Sequence, residues 1–223
     1  MAQIDPGTAL GPTQFIDSDH PEIRAFAAQA CDGGINDRDK AVRLYNAVRD
    51  QVRYDCYQLD FSREGLSASV TLRKGFGFCV PKAVLLAAVC RAEGIPAALG
   101  FADVRNHLST PRLEEIMGSD IFYHHGYTAI YLDGRWIKAT PAFNRSLCEK
   151  SGIPPLEFDG LNDSIFHAYD NAGQQHMEYL RYHGETADMP YQTFIDAMAQ
   201  HYPNLMKLAD HDWDSDVQAM REG

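Results

Sequence analysis

The sequence has 223 residues, 45% of them hydrophobic and 23% charged, and its 31 acidic against 20 basic residues give a net charge of −11. A chain of this length can bury a core as one domain without metal or disulfide support. The acidic balance and the absence of a Lys/Arg cluster argue against nucleic acid as a partner. No apolar run approaches the length of about 18 residues that a membrane helix needs, and the first residues lack the pattern of a signal peptide, so we expect no membrane association.

The first third of the chain predicts a lead-in and two helices. Residues 1–19 contain several Pro and Gly residues and are expected to be irregular. A helix is predicted over residues 21–30, with proline at its first position. A second helix, capped by Asn36 or Asp37, is predicted to end near Arg53, and its apolar stripe is typical of a helix packed on a core. Residues 55–73 are predicted to be irregular.

A glycine-rich turn, Gly75 to Phe78, precedes Cys79 and an apolar helical run that ends near Ala92. Gly94 and Pro96 then stop the helix. Cys79 is therefore predicted at or just before the start of a buried helix, where unpaired N–H groups and the helix dipole stabilise a thiolate. The alternative is that Cys79 is a small buried hydrophobe.

The chain contains five cysteines, and their number and spacing predict free thiols. Five is odd, the spacings are wide, and no Cys-x-x-Cys pair occurs, which argues against a disulfide framework or a zinc site. No His-Glu-x-x-His spacing supports another metal centre, so neither a metal nor another cofactor is expected. Free thiols are typical of a reducing compartment, and we expect the cytoplasm.

The middle of the chain carries the clearest β signal. A strand is predicted over residues 97–104, and a short helix within residues 109–117. Two strand-like runs, residues 127–132 and 135–140, are joined by Asp133-Gly134, the strongest short-range hairpin pattern. The remainder is predicted to be loop-rich over residues 144–175, helical over about 191–202, and frayed in an acidic tail from Asp210. Strands grouped after helices predict an α+β fold.

His124 and His125 stand at the entry of the first hairpin strand. An imidazole next to a cysteine takes the thiol proton and activates the nucleophile, so either histidine is a candidate base. Successive side chains of a strand point to opposite faces, so only one of the two can serve. The alternative is that both are polar residues at a strand entry.

In combination, these motifs resemble the transglutaminase-like superfamily, and more narrowly the bacterial transglutaminase-like cysteine proteases. The resemblance rests on Cys79 at a helix start, the following stretch Leu85 to Pro96, His125-Gly126-Tyr127 and Leu132 to Trp136, with Ala41 to Tyr54 as a leading helix. It covers about residues 20–144, preceded by the lead-in 1–19 and followed by an extension, 145–223, packed on the same domain.

The resemblance implies a papain-like α+β core in which the cysteine-bearing helix packs on an antiparallel sheet, with N-terminal helices and a helical and loop-rich C-terminal extension. It also implies Cys79 as the nucleophile and His125, the histidine of the family's His-small-aromatic pattern, as the base. The family usually places an Asp where the stretch from Trp136 to Pro141 has Thr140. A threonine hydroxyl can orient an imidazole but brings no negative charge.

Three other residues are candidates for this third position. Asn144 is one, because papain-like enzymes use Asn to orient the base, and Asp159 and Asp163 are others if their loop folds back. The predicted function is cysteine-dependent acyl transfer from an amide of a peptide or protein, with hydrolysis favoured over crosslinking. The alternative is a catalytically weak or inactive module that binds peptide or protein. A disulfide between Cys79 and Cys90 is excluded, since 11 helical residues separate them by roughly 16 Å.

Overall fold

The computed structural model describes residues 4–107, 115, 117–174 and 176–209. A turn of 3-10 helix at Pro6–Ala9 precedes the main elements. The helices are α1 (Pro21–Ala30), α2 (Asp37–Gln51), α3 (Ala68–Lys74), α4 (Cys79–Ala92), α5 (Arg145–Ser151), α6 (Tyr191–His201) and α7 (Pro203–Ala209). The strands are β1 (Arg53–Tyr54), β2 (Phe76–Gly77), β3 (Ala97–Asn106), β4 (Ile121–Leu132), β5 (Arg135–Ala139) and β6 (Met177–Thr186).

Four strands form one antiparallel sheet in the order β5-β4-β3-β6, and β1 and β2 form a separate short parallel pair. The predicted hairpin of β4 and β5 is confirmed. Its turn residues Asp133 and Gly134 have φ values of 50° and 83°. Positive φ at both positions gives a turn whose twist matches that of the strands. The predicted α+β fold, with the cysteine-bearing helix on an antiparallel sheet, is confirmed.

Helix α4 is the centre of the core. Every residue from Val80 to Arg91 is buried, because α1, α2 and α3 pack against one side of the helix and β3 and β4 against another. A helix that is covered all round needs apolar residues on all faces, which explains the unbroken run Ala83 to Cys90. The helix therefore holds its first residue, Cys79, in a fixed position against the sheet.

Two buried cations tie other segments to α4. The ammonium of Lys82 donates to the carbonyl oxygens of Arg49 and Val52 at the end of α2, and burial lowers its pKa to about 7. The guanidinium of Arg91 donates to the carbonyl oxygens of Ala97, Gly11 and Ala187. Arg91 thus joins the lead-in, the start of β3 and the C-terminal extension around the end of α4.

The structure corrects the sequence analysis at three elements. Helix α3 lies in the stretch predicted to be irregular, α5 lies in the stretch predicted to be loop-rich, and β6 was not predicted at all. The two helices have seven residues each, too few for an apolar stripe to show the helical period, although their N-cap residues, Ser67 and Asn144, are of preferred types. Strand β6 does not alternate between buried and exposed residues, because its pairing with β3 shifts register twice.

Two predicted features fall outside the described residues. Of the helix predicted within residues 109–117, the structure describes only residues 115 and 117. The acidic tail from Asp210 lies entirely outside the described residues. Within the described ranges, no helix combines the length and apolarity needed to cross a bilayer. All five cysteines are free, as predicted.

Candidate active site

Cys79 is the first residue of α4 and is half-buried. The N-cap residue, Phe78, makes no side-chain hydrogen bond to the helix start, and Pro81 has no N–H group. The first N–H groups of a helix have no partner within the helix. Here the backbone N–H groups of Cys79 and Val80 face the thiol, together with the N–H of Gly126 on β4. All three lower the pKa of Cys79.

Burial opposes these donors and has the larger effect. It raises the pKa of the Cys79 thiol to about 11, because a thiolate loses its hydration in an apolar pocket. In this state of the protein the thiol is neutral at pH 7. A thiol in this state can act as a nucleophile only with a base that removes its proton.

His125 lies on β4, and this strand can approach the start of α4 because the residue after His125 is a glycine. A Cβ atom at Gly126 would lie 3.0 Å from the Cα and Cγ2 atoms of Val80, so β4 passes against the first turn of α4. Such a close approach of two backbones excludes a larger side chain. The small residue of the His-Gly-Tyr pattern thus holds the histidine strand against the helix start.

The His125 side chain is buried and packs against Phe166, with ring centroids 4.7 Å apart. Its Nε2 atom is buried and has no hydrogen-bond partner. Burial lowers the pKa of His125 to about 3, so the imidazole is neutral at pH 7. In the part of the chain that the structure describes, His125 makes no ion pair with a carboxylate.

Cys79 and His125 line one narrow cavity of about 70 Å³. Its remaining described lining is almost entirely apolar and aromatic: Tyr54, Cys56, Leu59, Phe61, Phe78, Val80, Met117, Phe122, Tyr123, His124, Phe194, Met198, Tyr202 and Leu205. Thiol and imidazole therefore share a water-poor pocket, in which an electrostatic interaction is stronger than in water.

Thr140 follows the end of β5 and is buried. Its backbone carbonyl accepts a hydrogen bond from the Tyr45 hydroxyl at 3.0 Å. Burial raises the pKa of the Tyr179 phenol, and the nearby Thr140 hydroxyl opposes this in small part, although that hydroxyl forms no hydrogen bond of good geometry. The Tyr179 oxygen also accepts from the backbone N–H of Phe166, the residue packed on His125. Thr140 is thus linked to His125 indirectly, through Tyr179 and Phe166.

The other three candidates for the third position are engaged elsewhere. The Asn144 amide accepts from the Tyr54 N–H and donates to the Ser146 hydroxyl. The Asp159 carboxylate is exposed and closes its own turn. The Asp163 carboxylate binds the backbone N–H of Lys138. The structure does not bring these three side chains to His125.

Sequence reasoning missed the residues that cover His125. Phe166 packs on the histidine, and Tyr179, on the strand β6 that pairs with β3, accepts from the Phe166 N–H; both belong to the C-terminal extension. No motif pointed to them, since aromatic residues in a loop-rich stretch carry no spacing signal. His124 lines the same cavity as Cys79 and His125, and its ring stacks on His183 with centroids 4.2 Å apart.

The fold and the site are those of a cysteine-bearing helix packed against a histidine-bearing antiparallel strand. The family model of the transglutaminase-like superfamily matches residues 24–141, more than half of the chain. The protein therefore belongs to the transglutaminase-like superfamily. No curated protein matches the sequence at a significant level.

Two solved structures are similar to the chain. One is a protein from Cytophaga hutchinsonii proposed to be a cysteine protease, with 19% identity and a TM-score of 0.47, covering 83% of this chain and 55% of that one. The other is a proposed protease from Parabacteroides distasonis, with 19% identity and a TM-score of 0.38, covering 53% of this chain and 23% of that one. The chain thus spans about half the length of the first and about a quarter of the second.

Proposed function

We propose that the protein is a cysteine-dependent enzyme that transfers the acyl group of a peptide or protein amide. Cys79 is the nucleophile and His125 the base. The observation that carries the proposal is the placement of a thiol at an uncapped helix start in the wall of a pocket that it shares with an imidazole. This is the arrangement that nucleophilic catalysis by cysteine requires.

The reaction begins from the neutral pair. His125 takes the Cys79 proton while the sulfur attacks the amide carbonyl, and the backbone N–H of Cys79 donates to the developing oxyanion. The imidazolium then returns its proton to the leaving amine, and a thioester remains. Water, deprotonated by His125, attacks the thioester to release an acid and the free thiol. An amine in place of water gives a new amide.

Thr140 is the candidate that remains to orient the imidazole. Its hydroxyl brings no charge, so the imidazolium formed in the reaction is stabilised less than it is by a carboxylate. The aromatic and aliphatic walls of the pocket favour an apolar side chain next to the scissile amide. The proposed activity is therefore a slow hydrolysis of amides that carry apolar side chains.

The test compares two cysteine variants that line the same pocket. Release of amines from denatured casein is followed for Cys79→Ala and for Cys56→Ala, whose thiol lies in the pocket wall but not at a helix start. We expect Cys79→Ala to abolish amine release and Cys56→Ala to retain it, with thermal unfolding curves close to that of the wild type. Equal amine release by both variants would refute the assignment of Cys79. Absence of release by the folded wild type, together with saturable peptide binding, would favour the binding module.

A further inference from the structure

Three side chains that the proposed reaction does not use converge on neighbouring strands of the sheet. We propose that Asp103, His124 and His183 form a binding site for a divalent transition metal ion, best suited to Zn²⁺. Their ligand atoms all lie within 4.8 Å of one another. Two imidazoles and one carboxylate are a donor set that zinc prefers.

The site is built on three adjacent strands. Asp103 lies on β3, His124 on β4 and His183 on β6, with β3 in the middle. The pairing of β3 with β4 shifts register between Ala102 and Val104, and its pairing with β6 shifts between Phe101 and Ala102. Each histidine is therefore an extra residue opposite the stretch that holds Asp103. Bulges of this kind redirect a side chain and are common beside functional sites.

The backbone of His124 is strained. Its φ is 53°, a left-handed conformation that costs a non-glycine residue free energy and persists only where the surroundings enforce it. The Asp103 Oδ1 atom contributes to this by accepting the N–H of His124 at 3.0 Å. The strain places the imidazole of His124 on the face that carries Asp103 and His183.

Hydrogen bonding within the cluster leaves one ligand atom unused. Asp103 Oδ1 lies 2.8 Å from His183 Nε2 and 4.0 Å from His124 Nδ1. The Nδ1 atom of His124 is buried and has no hydrogen-bond partner. A purely structural role of Asp103, as a brace for His183 and for the His124 backbone, leaves this nitrogen unexplained.

A zinc ion accounts for all three ligand atoms. Tetrahedral ligands at zinc–nitrogen distances of about 2.0–2.1 Å lie about 3.4 Å apart, between the two distances to Asp103 found here. A rotation of the imidazole rings brings the nitrogens to this spacing. His183 then carries its proton on Nδ1 and binds through Nε2, while His124 binds through Nδ1.

The site has an open side for a fourth ligand. It opens on a cavity of about 560 Å³ between the sheet and α6, lined also by Asp196 and His201 of α6 and by Arg181. The negative charge of Asp196 and the positive charge of Arg181 offset each other. The carboxylate of Asp103 is therefore the main electrostatic attraction for the cation. Water can fill the fourth position from this cavity.

Zinc binding is tested on the full-length protein without an affinity tag and in a Cys79→Ala background, which removes the thiol as a competing ligand. Titration with zinc chloride at neutral pH is followed by calorimetry. We expect one ion per chain, and at least about 100-fold weaker binding after His183→Ala or Asp103→Asn, since loss of even an outer-shell partner costs 10–100-fold. The control is His107→Ala, because His107 pairs with Glu178 at another position of the surface and its loss should leave zinc affinity unchanged.

A second readout separates ligation from a loss of folding. The visible absorption of bound Co²⁺ reports its coordination geometry, and we expect a tetrahedral spectrum that disappears in His183→Ala while the circular dichroism of the protein is retained. The proposal would be overturned if the folded parent protein bound no zinc at stoichiometric level. It would equally be overturned if His183→Ala and His107→Ala bound zinc with the same affinity.

Discussion

At the scale of single residues, β4 can approach the start of α4 because residue 126 is a glycine and has no side chain. The backbone N–H of Gly126 reaches the Cys79 sulfur, and the space for a Cβ atom there is occupied by Val80. The absence of a side chain at Gly126 therefore allows the strand that carries His125 to contact the Cys79 thiol.

Gly126→Ala is expected to separate strand and helix. The added methyl group forces a shift that costs about 1–3 kcal/mol of stability and withdraws His125 from Cys79, so amine release should fall sharply. Thermal unfolding and casein turnover measure the two effects. Gly11→Ala is the matched control, since a Cβ atom there meets nothing within 4 Å, and it should change neither. Wild-type activity in Gly126→Ala would contradict the proposed geometry.

Thr140→Asp is expected to restore the charge that the site lacks. In the wild type the pKa of Cys79 lies at about 11, so its alkylation by iodoacetamide should rise roughly tenfold per pH unit from pH 7 to 10. A carboxylate beside His125 favours the imidazolium and with it the thiolate. We therefore expect faster alkylation near pH 6 in the variant, read for each cysteine by peptide mass spectrometry.

The matched control for this substitution is Asp159→Asn, because Asp159 closes its own exposed turn. Its alkylation profile should follow that of the wild type. Coincident profiles for Thr140→Asp and the wild type would show that residue 140 does not act on His125.

At the scale of elements, α4 supports its neighbours through a buried ammonium. Lys82 donates to two carbonyl groups at the end of α2, where helix carbonyls lack partners, but burial disfavours its charged form. Burial lowers its pKa from 10.5 to about 7. Between these values the unfolded chain binds a proton that the folded chain does not, so stability increases as the pH rises through this window.

Lys82→Met should remove this dependence on pH. We expect the wild type to gain about 2 kcal/mol relative to the variant between roughly pH 7 and pH 9. Urea unfolding of both proteins at the two pH values gives the difference, in which the titration of the five cysteines cancels. A difference that is constant, or that falls with pH, would contradict a lowered pKa at Lys82.

At the scale of the whole molecule, Arg91 joins segments that are distant in the chain. Its guanidinium binds carbonyl oxygens of Gly11, Ala97 and Ala187 at once. A lysine has the charge but not the planar fork that reaches three acceptors. One side chain, Arg91, thus provides hydrogen-bond donors to backbone carbonyl groups of both the lead-in and the C-terminal extension.

Arg91→Lys is expected to lower the free energy of unfolding by about 2–4 kcal/mol, because buried carbonyl groups lose their donors. Limited proteolysis should then cut the lead-in sooner than in the wild type. Arg53→Lys is the control, as Arg53 is exposed and pairs with Asp55, and it should change stability by less than about 0.5 kcal/mol. Equal stability of the two variants would contradict the role given to Arg91.

Elements that are encoded by neighbouring residues could be predicted from the sequence, whereas elements that depend on distant residues could not. The start of the Cys79 helix and the Asp133-Gly134 hairpin are encoded by neighbouring residues, and both were predicted. Strand β6 is defined by its pairing with β3, so its own residues carried little signal. The cluster around Asp103 combines residues from three strands, and no sequence spacing could indicate it.

The position of β3 in the sheet also has a consequence for synthesis. The strand ends at Asn106, whereas β6, which pairs with its outer edge, begins only at Met177. A chain that emerges from the ribosome can pair β3 with β4 long before β6 exists, and until then one edge of β3 has unpaired backbone groups. An open edge is a template for association with another chain. Asp103 and Arg105 place charges along this edge, and they disfavour such association until the last strand arrives.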